Sequence, residues 1–257
     1  MAGVEEIAVG ETVGLLPILN EAGTVRRVID GMLSMDAIDR LLVVDDGSDD
    51  GTLDELRRAQ VRWPQLDLEL RSDQKGLGSA LLHGFREAVR RYRFDRLVVL
   101  DGDLSHDPAA IPALLNSPCD LVIGSRYVPG GRIENWNSSR RLISFIANSL
   151  ARRMLRLPVQ DVTSGFRVYS RSLVEMILEH AACGGYEFQV ETIWLAAARR
   201  YSIVEVPIAF IERKVGESKL ATPEEAWKFT RFVMSKTFLH IRSKATGVIS
   251  ARAGRSS

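Results

Sequence analysis

Short apolar runs alternate with amphipathic stretches through the first half of the chain, the βαβα pattern of a mainly parallel sheet. Strands are predicted at Thr12–Ile18, Arg40–Val44, Asp67–Leu70, Arg96–Leu100 and Asp120–Ile123. Several are nearly unbroken Leu, Val and Ile, the composition of strands covered on both faces. Between them the spacing predicts helices at Ala22–Met35, Thr52–Gln60, Leu77–Tyr92 and Pro108–Leu115, the last capped by Asp107 with proline at its first position.

After Ser125 the pattern changes. A loop at Val128–Gly131 leads to a long helix, Ser139–Arg156, then a short segment, Gly165–Tyr169. Helices near Ser172–Glu179 and Phe188–Arg200, a strand at Ile203–Phe210 and a helix near Pro223–Lys244 follow. Residues 251–257 read as a disordered tail. No internal repeat or linker divides the chain, so the expectation is one α/β domain over residues 1–220 and a C-terminal amphipathic helix over 221–250.

The strongest strands end in polar, acidic residues: Asn20-Glu21, Asp45-Asp46 and Asp101-Gly102-Asp103. Open α/β sheets bind ligands beyond the carboxyl ends of their strands, so these ends are expected to converge on one site. The net charge of +1 conceals a polarity. Residues 1–125 carry 13 basic against 22 acidic side chains, and residues 126–257 carry 21 against 11. An acidic half suits a divalent cation; a basic half suits phosphates or an anionic surface. From Arg126 to Arg171 there are nine arginines and no lysine, and the arginine fork grips phosphate oxygens with two prongs. Arg126, directly after a strand and a Gly-Ser turn, is the leading candidate.

In VVLDGDLSHDP (Val98–Pro108) two aspartates two apart follow a buried strand. Such a pair offers hard oxygen ligands to Mg2+ or Mn2+, which leave other positions for water and substrate phosphates. The bland alternative is a solvated turn. In LLVVDDGSDDGT (Leu41–Thr52) the acids are acceptors for a base or ribose, with Gly47 permitting a tight turn, or they merely shape a β-to-α connection. In LLPILNEAGTV (Leu15–Val25) Pro17 is expected to end the first strand, and Glu21 opens a helix. His106 is expected to support the acid pair or face solvent; His83 is given no chemistry.

These three motifs, in this order, resemble the family-2 glycosyltransferases of GT-A fold. KGLGSALLHGF (Lys75–Phe85), VIGSRYVPGG (Val122–Gly131), DVTSGFRVYSR (Asp161–Arg171), GYEFQVE (Gly185–Glu191) and EVPIAFIERKVGESKL (Glu205–Leu220) extend the likeness to dolichyl- and polyprenyl-phosphate mannose synthases. The resemblance implies a Rossmann-like sheet flanked by helices, with a nucleotide and metal half near 12–125 and an acceptor half near 126–220. It implies a nucleotide site at Pro17, Leu19, Glu21, Val44, Asp45, Asp46, Lys75, Gly76, Asp101, Gly102 and Asp103. It implies metal ligation at Asp101, Asp103 and Ser105, and phosphate binding at Arg126, Arg140, Arg213, Ser218 and Lys219. Asp101, Asp103 and Arg126 would carry catalysis. Leu19 departs from the aromatic Tyr of a PTYNE-like run, which loosens the expected base preference.

The helix Arg140–Leu157 places Leu142, Phe145, Ile146, Leu150, Met154 and Leu157 on one side and Ser144, Asn148, Arg152 and Arg156 elsewhere. This is either an interfacial helix or a core-packing one. Trp227–Lys244 mixes aromatics with cations in the same manner. No apolar run approaches the roughly 18–20 residues that span a bilayer, and no signal peptide is visible. The two cysteines, Cys119 and Cys183, lie apart and fit a reducing setting. The expected location is cytoplasmic, peripheral to the cytoplasmic face of a membrane. Expected partners are a nucleotide-sugar donor, a polyprenyl phosphate lipid, the membrane surface and a membrane-anchoring subunit, with no nucleic acid. A UDP-sugar donor and a non-catalytic nucleotide-sugar-binding subunit stand as alternatives. A Rossmann oxidoreductase is disfavoured, because LPILNEAG stands where G-x-G-x-x-G would open.

Overall fold

The computed structural model describes residues 10–72, 76–136, 138–211 and 227–237, with the side chains of 139, 140 and 143 excepted. Seven strands form one sheet in the order β3-β2-β1-β4-β7-β5-β8. These are β1 (Glu11–Ile18), β2 (Arg40–Asp45), β3 (Leu66–Leu70), β4 (Phe94–Val99), β5 (Leu121–Ser125), β7 (Arg167–Ser170) and β8 (Ile203–Pro207). All neighbours pair in parallel except β7, which lies antiparallel between β4 and β5. A second, two-stranded parallel sheet joins β6 (Arg132–Glu134) to β9 (Ala209–Ile211). The expected α/β class, with a mainly parallel sheet between helices, is what the chain adopts.

The helices α1 (Val25–Leu33), α2 (Thr52–Arg62), α3 (Leu77–Arg91), α4 (Ile111–Leu115), α5 (Ser138–Leu155), α6 (Arg171–His180) and α7 (Phe188–Ala198) flank the sheet. Two apolar clusters cover its faces: one centred on Leu15, Val44, Phe85, Tyr169 and Phe188, the other on Leu16, Val43, Val98, Ile29 and Phe166. Adjacent strand residues feed opposite clusters, which explains the unbroken apolar runs. α3 approaches closely because Gly84 has no side chain: a Cβ there would lie 2.5 Å from Leu15 Cδ1.

Four expectations need correction. Pro17 lies inside β1, paired with Val44, rather than ending it. Its missing N–H points to the β4 side, where pairing has already stopped at Leu15 and Val99, so no ladder bond is lost. α1 starts at Val25 rather than Ala22, and the amides of Glu21 and Ala22 bond to the neighbouring loop instead. The single strand expected over 203–210 is two: β8 ends at Pro207, and β9 joins β6, a pairing absent from the sequence reading. The segment 108–115 opens as a short 3-10 turn, Pro108–Ala110, capped as expected by Asp107.

On α5 the polar stripe turns inward at Asn148. Asn148 is 2% exposed and Ala151 buried, while Leu142, Phe145, Ile146 and Leu150 are 54 to 59% exposed. Asn148 tolerates burial because its amide bonds Val162 N, Ser144 O and Thr163. Met154 and Leu157, grouped with the apolar side in the sequence reading, pack against the core. No helix among the described residues is long and apolar enough to cross a membrane. Helix 227–237 packs Phe232 and Val233 into the core and sets Lys236 Nζ 3.8 Å from the buried carboxylate of Glu191 on α7. The tail 251–257 lies outside the described residues.

Candidate active site

The loops after β1 and β2 are zipped together by side-chain to backbone bonds. Asn20, at φ 58, accepts from Asp49 N at 3.0 Å, while Ser48 Oγ accepts from Asn20 N at 2.8 Å. Thr52 and Asp50 accept from the amides of Glu21 and Ala22. Asp45 organises its own turn by accepting from Gly47 N at 3.1 Å, Ser48 N at 3.0 Å and Ser48 Oγ at 2.5 Å. Asp46 accepts from Gly76 N at 3.3 Å and pairs with Arg71 Nη1 at 2.7 Å. Burial raises the Asp46 pKa despite that arginine. Arg71 also reaches Ser79 at the start of α3, so it joins β3, β2 and α3 at the sheet's carboxyl edge. The sequence reading missed it; its place directly after a strand was the available signal.

The Asp101–Asp103 turn follows β4. Gly102 is required by packing: a Cβ there would meet Ile18 Cδ1 at 2.2 Å. Its carbonyl accepts from Thr24 Oγ1 at 2.9 Å, which ties the turn to α1. Leu104 has φ 60, a strained value for a bulky residue and of a kind that clusters at functional loops. Asp101 keeps a third of its side chain exposed, whereas burial and then the Asp101 charge raise the pKa of Asp103. Ser105 is buried and bonds Asp103 through both its amide, at 2.9 Å, and its hydroxyl. His106 does not face solvent. It is 1% exposed, lies against Phe166 and Phe210, and brings Nε2 within 3.4 Å of Asp101 Oδ2.

The donor set fits a hard divalent cation. Burial and then the Asp101 charge make the Asp103 carboxyl resist ionisation, and buried His106 Nδ1 has no partner among the described residues. Gly165 leaves the Asp101 carboxylate its room, since a Cβ there would lie 2.8 Å from Oδ2. Among the described residues no cluster offers three or more His, Cys, Asp or Glu ligands. That suits an ion which completes its shell with substrate phosphate and water.

Arg126, after β5, is almost wholly buried. Its Nε and Nη2 donate to Asp161 Oδ2 and Oδ1 at 2.7 Å each, and its amide adds a third bond at 3.0 Å. The rings of Tyr127, Trp136 and Phe210 lie 5.3 to 5.8 Å from its guanidinium carbon. Burial pulls its pKa down, but Asp161 outweighs that, and Asp101 adds to the upward pull. Asp101 and Arg126 follow β4 and β5, whose carboxyl ends lie on the same edge of the sheet. The sequence reading quoted Asp161 without a role; a buried arginine's need for a counter-ion was the missed signal. Lys75, Arg213, Ser218, Lys219 and the Arg140 side chain lie outside the described residues.

Residues 15–178 match the model of glycosyl transferase family 2. The chain belongs to this family. An undecaprenyl-phosphate mannosyltransferase of Micrococcus luteus is 42% identical over 184 residues, 70% of this chain and 75% of that protein. A polyprenol monophosphomannose synthase of Mycolicibacterium smegmatis is 38% identical over 217 residues, 82% of this chain and 81% of that one. In shape, this family-2 chain is similar to glucosyl-3-phosphoglycerate synthase of Mycobacterium tuberculosis in complex with UDP. The TM-score is 0.68 at 19% identity, over 89% of this chain and 80% of the other. Crystals of that enzyme have also been solved with Mn2+ or Mg2+ beside UDP. At such identity the likeness concerns the fold.

Proposed function

We propose that this chain transfers mannose from GDP-mannose to a dolichyl or polyprenyl monophosphate, with inversion at the anomeric carbon. One juxtaposition carries the reading: the acid pair Asp101 and Asp103 shares the sheet's carboxyl edge with a buried arginine, Arg126. The names of the two mannosyltransferase relatives support the sugar and the acceptor. The loops carrying Pro17, Leu19, Glu21, Val44, Asp45, Asp46, Lys75 and Gly76 would receive the nucleotide. Arg126, Arg140, Arg213, Ser218 and Lys219 would hold phosphate.

An acceptor phosphate oxygen attacks the anomeric carbon from the face opposite the donor diphosphate. The new carbon–oxygen bond forms as the bond to the β-phosphate oxygen breaks, and the electron pair leaves with GDP. The acceptor's second pKa lies at about 6, so near neutrality it is already anionic and needs aim more than a base. A divalent cation held by Asp101 and Asp103 would offset charge on the departing diphosphate. Ser105 would keep Asp103 oriented. The outward apolar face of α5 and its arginines support a peripheral position on an anionic membrane.

Purified protein given labelled GDP-mannose, Mg2+ and a short polyprenyl phosphate should move label into an organic extract. No label there would overturn the reading. A second donor class is kept open by Leu19, and a panel including UDP-glucose and UDP-N-acetylglucosamine separates it. Nucleotide-sugar binding without transfer to any acceptor would identify a non-catalytic subunit.

A further inference from the structure

The donors of Arg126 are unevenly committed. Nε and Nη2 are taken by Asp161, and Nη2 also reaches Thr163 Oγ1 at 2.7 Å. Nη1 has no hydrogen-bond partner among the described residues. The aromatic rings of Tyr127, Trp136 and Phe210 crowd the guanidinium. An arginine so held cannot turn a two-pronged face to a phosphate; it offers one arm in one direction.

The clamp extends in both directions. Asp161 also accepts from the amides of Thr163 and Ser164 at 3.3 and 3.1 Å. Behind it, the Glu205 carboxylate on β8 takes the amides of Gln160 and Asp161 at 2.7 and 2.8 Å. Ahead of it, Thr163 Oγ1 meets Asn148 Nδ2 at 3.3 Å, and Asn148 Oδ1 accepts from Val162 N at 2.9 Å. Asn148 stands on the inner face of α5, whose outer face carries the exposed Leu142, Phe145, Ile146 and Leu150.

We infer that Asp161, Thr163 and Asn148 form a positioning relay that sets the direction of the free arm of Arg126 and ties it to α5. The inference rests on the reading above, in which Arg126 holds phosphate, and takes that phosphate to be the acceptor's. A purely structural ion pair would support both substrates alike. A relay that aims one phosphate contact acts on the acceptor alone.

The test uses the full chain and steady-state transfer with GDP-mannose and a short polyprenyl phosphate. Thr163→Val removes one charge-assisted bond to Nη2 and should raise the acceptor KM roughly tenfold or more. The donor KM should stay within about twofold, and Thr163→Ser should restore the acceptor KM. Asn148→Ala should raise the acceptor KM by less, because Arg126 and Asp161 stay in contact. Melting temperatures taken alongside report whether each variant folds. An unchanged acceptor KM in Thr163→Val, or equal changes in both KM values with a fall in melting temperature, would overturn the relay. Wild-type protein that transfers no mannose would remove the functional reading and the relay with it. That result is distinct from an active wild type with indifferent variants.

Discussion

The acidic and basic ends of the sheet's carboxyl edge are assembled by different means. At the acidic end most carboxylates are shaped by near neighbours, Asp45 by Gly47 and Ser48, Asp103 by Ser105 and Asp50 by Thr52, while Asp46 is held from further off by Arg71. At the basic end Arg126 is held by a residue 35 positions further on. The carboxylates answer in opposite directions. Burial and the neighbouring Asp101 push the pKa of Asp103 up, whereas for Asp161 burial pushes up but Arg126 prevails and the pKa falls. One end is left electrostatically uncomfortable and ready for a cation. The other is already neutralised and fixed in shape.

The largest expected break in this contrast comes from Arg126→Met. It leaves Asp161 buried without its counter-ion, and urea unfolding should show a loss of about 3–5 kcal/mol. A loss no larger than that of a surface substitution would mean the pair is not buried in solution. Next is Asp103→Asn, which should lower kcat by roughly 10²–10³-fold while leaving the unfolding midpoint unchanged or slightly raised. A large drop in stability would show that the acid pair is structural after all. Gly165→Ala should press a methyl group on the Asp101 carboxylate and cost on the order of tenfold to a hundredfold in kcat. Its melting temperature should move little, and full activity would show that the placement of Asp101 is not critical.

The smallest effect, in pH, sharpens the contrast most. Asp161 has a folded pKa below its ordinary 3.8, so its contribution is present above that value and is lost only as pH falls through the depressed one. Asp103 has a folded pKa above 3.8, so on acidification the folded state takes its proton before the unfolded state does, and stability rises across that window. Without divalent cations, wild type should therefore gain stability relative to Asp103→Asn as pH falls from neutrality towards 4. A difference that stays flat would show that Asp103 is not perturbed in solution.

The acidic end was legible because its motifs are local. A strand, a turn and an acid two or three residues on are one continuous stretch, and the three motifs stand at the ends of β1, β2 and β4. The partners of buried charges were not legible. Arg71 and Asp46 are 25 positions apart, and Asp161 joins Arg126 only because β7 folds back beside β5. Periodicity found the two faces of α5 but left open which of them meets the core. A polar stripe gives no sign that Asn148 is the inward member, yet an amide with three satisfied bonds can be buried at little cost. β6 was missed and β9 was merged with β8 because three-residue strands carry no period to detect.

The antiparallel strand β7 has a consequence for how this protein is made. β4 and β5 are consecutive strands along the chain but not neighbours in the sheet; the strand between them, at 167–170, emerges from the ribosome more than forty residues after β5 ends. Until then a nascent chain bears two unsealed sheet edges, the kind of surface that recruits other chains. Truncated products ending before residue 167 are accordingly expected to need chaperones or to aggregate. Those that include β7 can close the sheet, and the same late event draws the Asp161 loop towards Arg126.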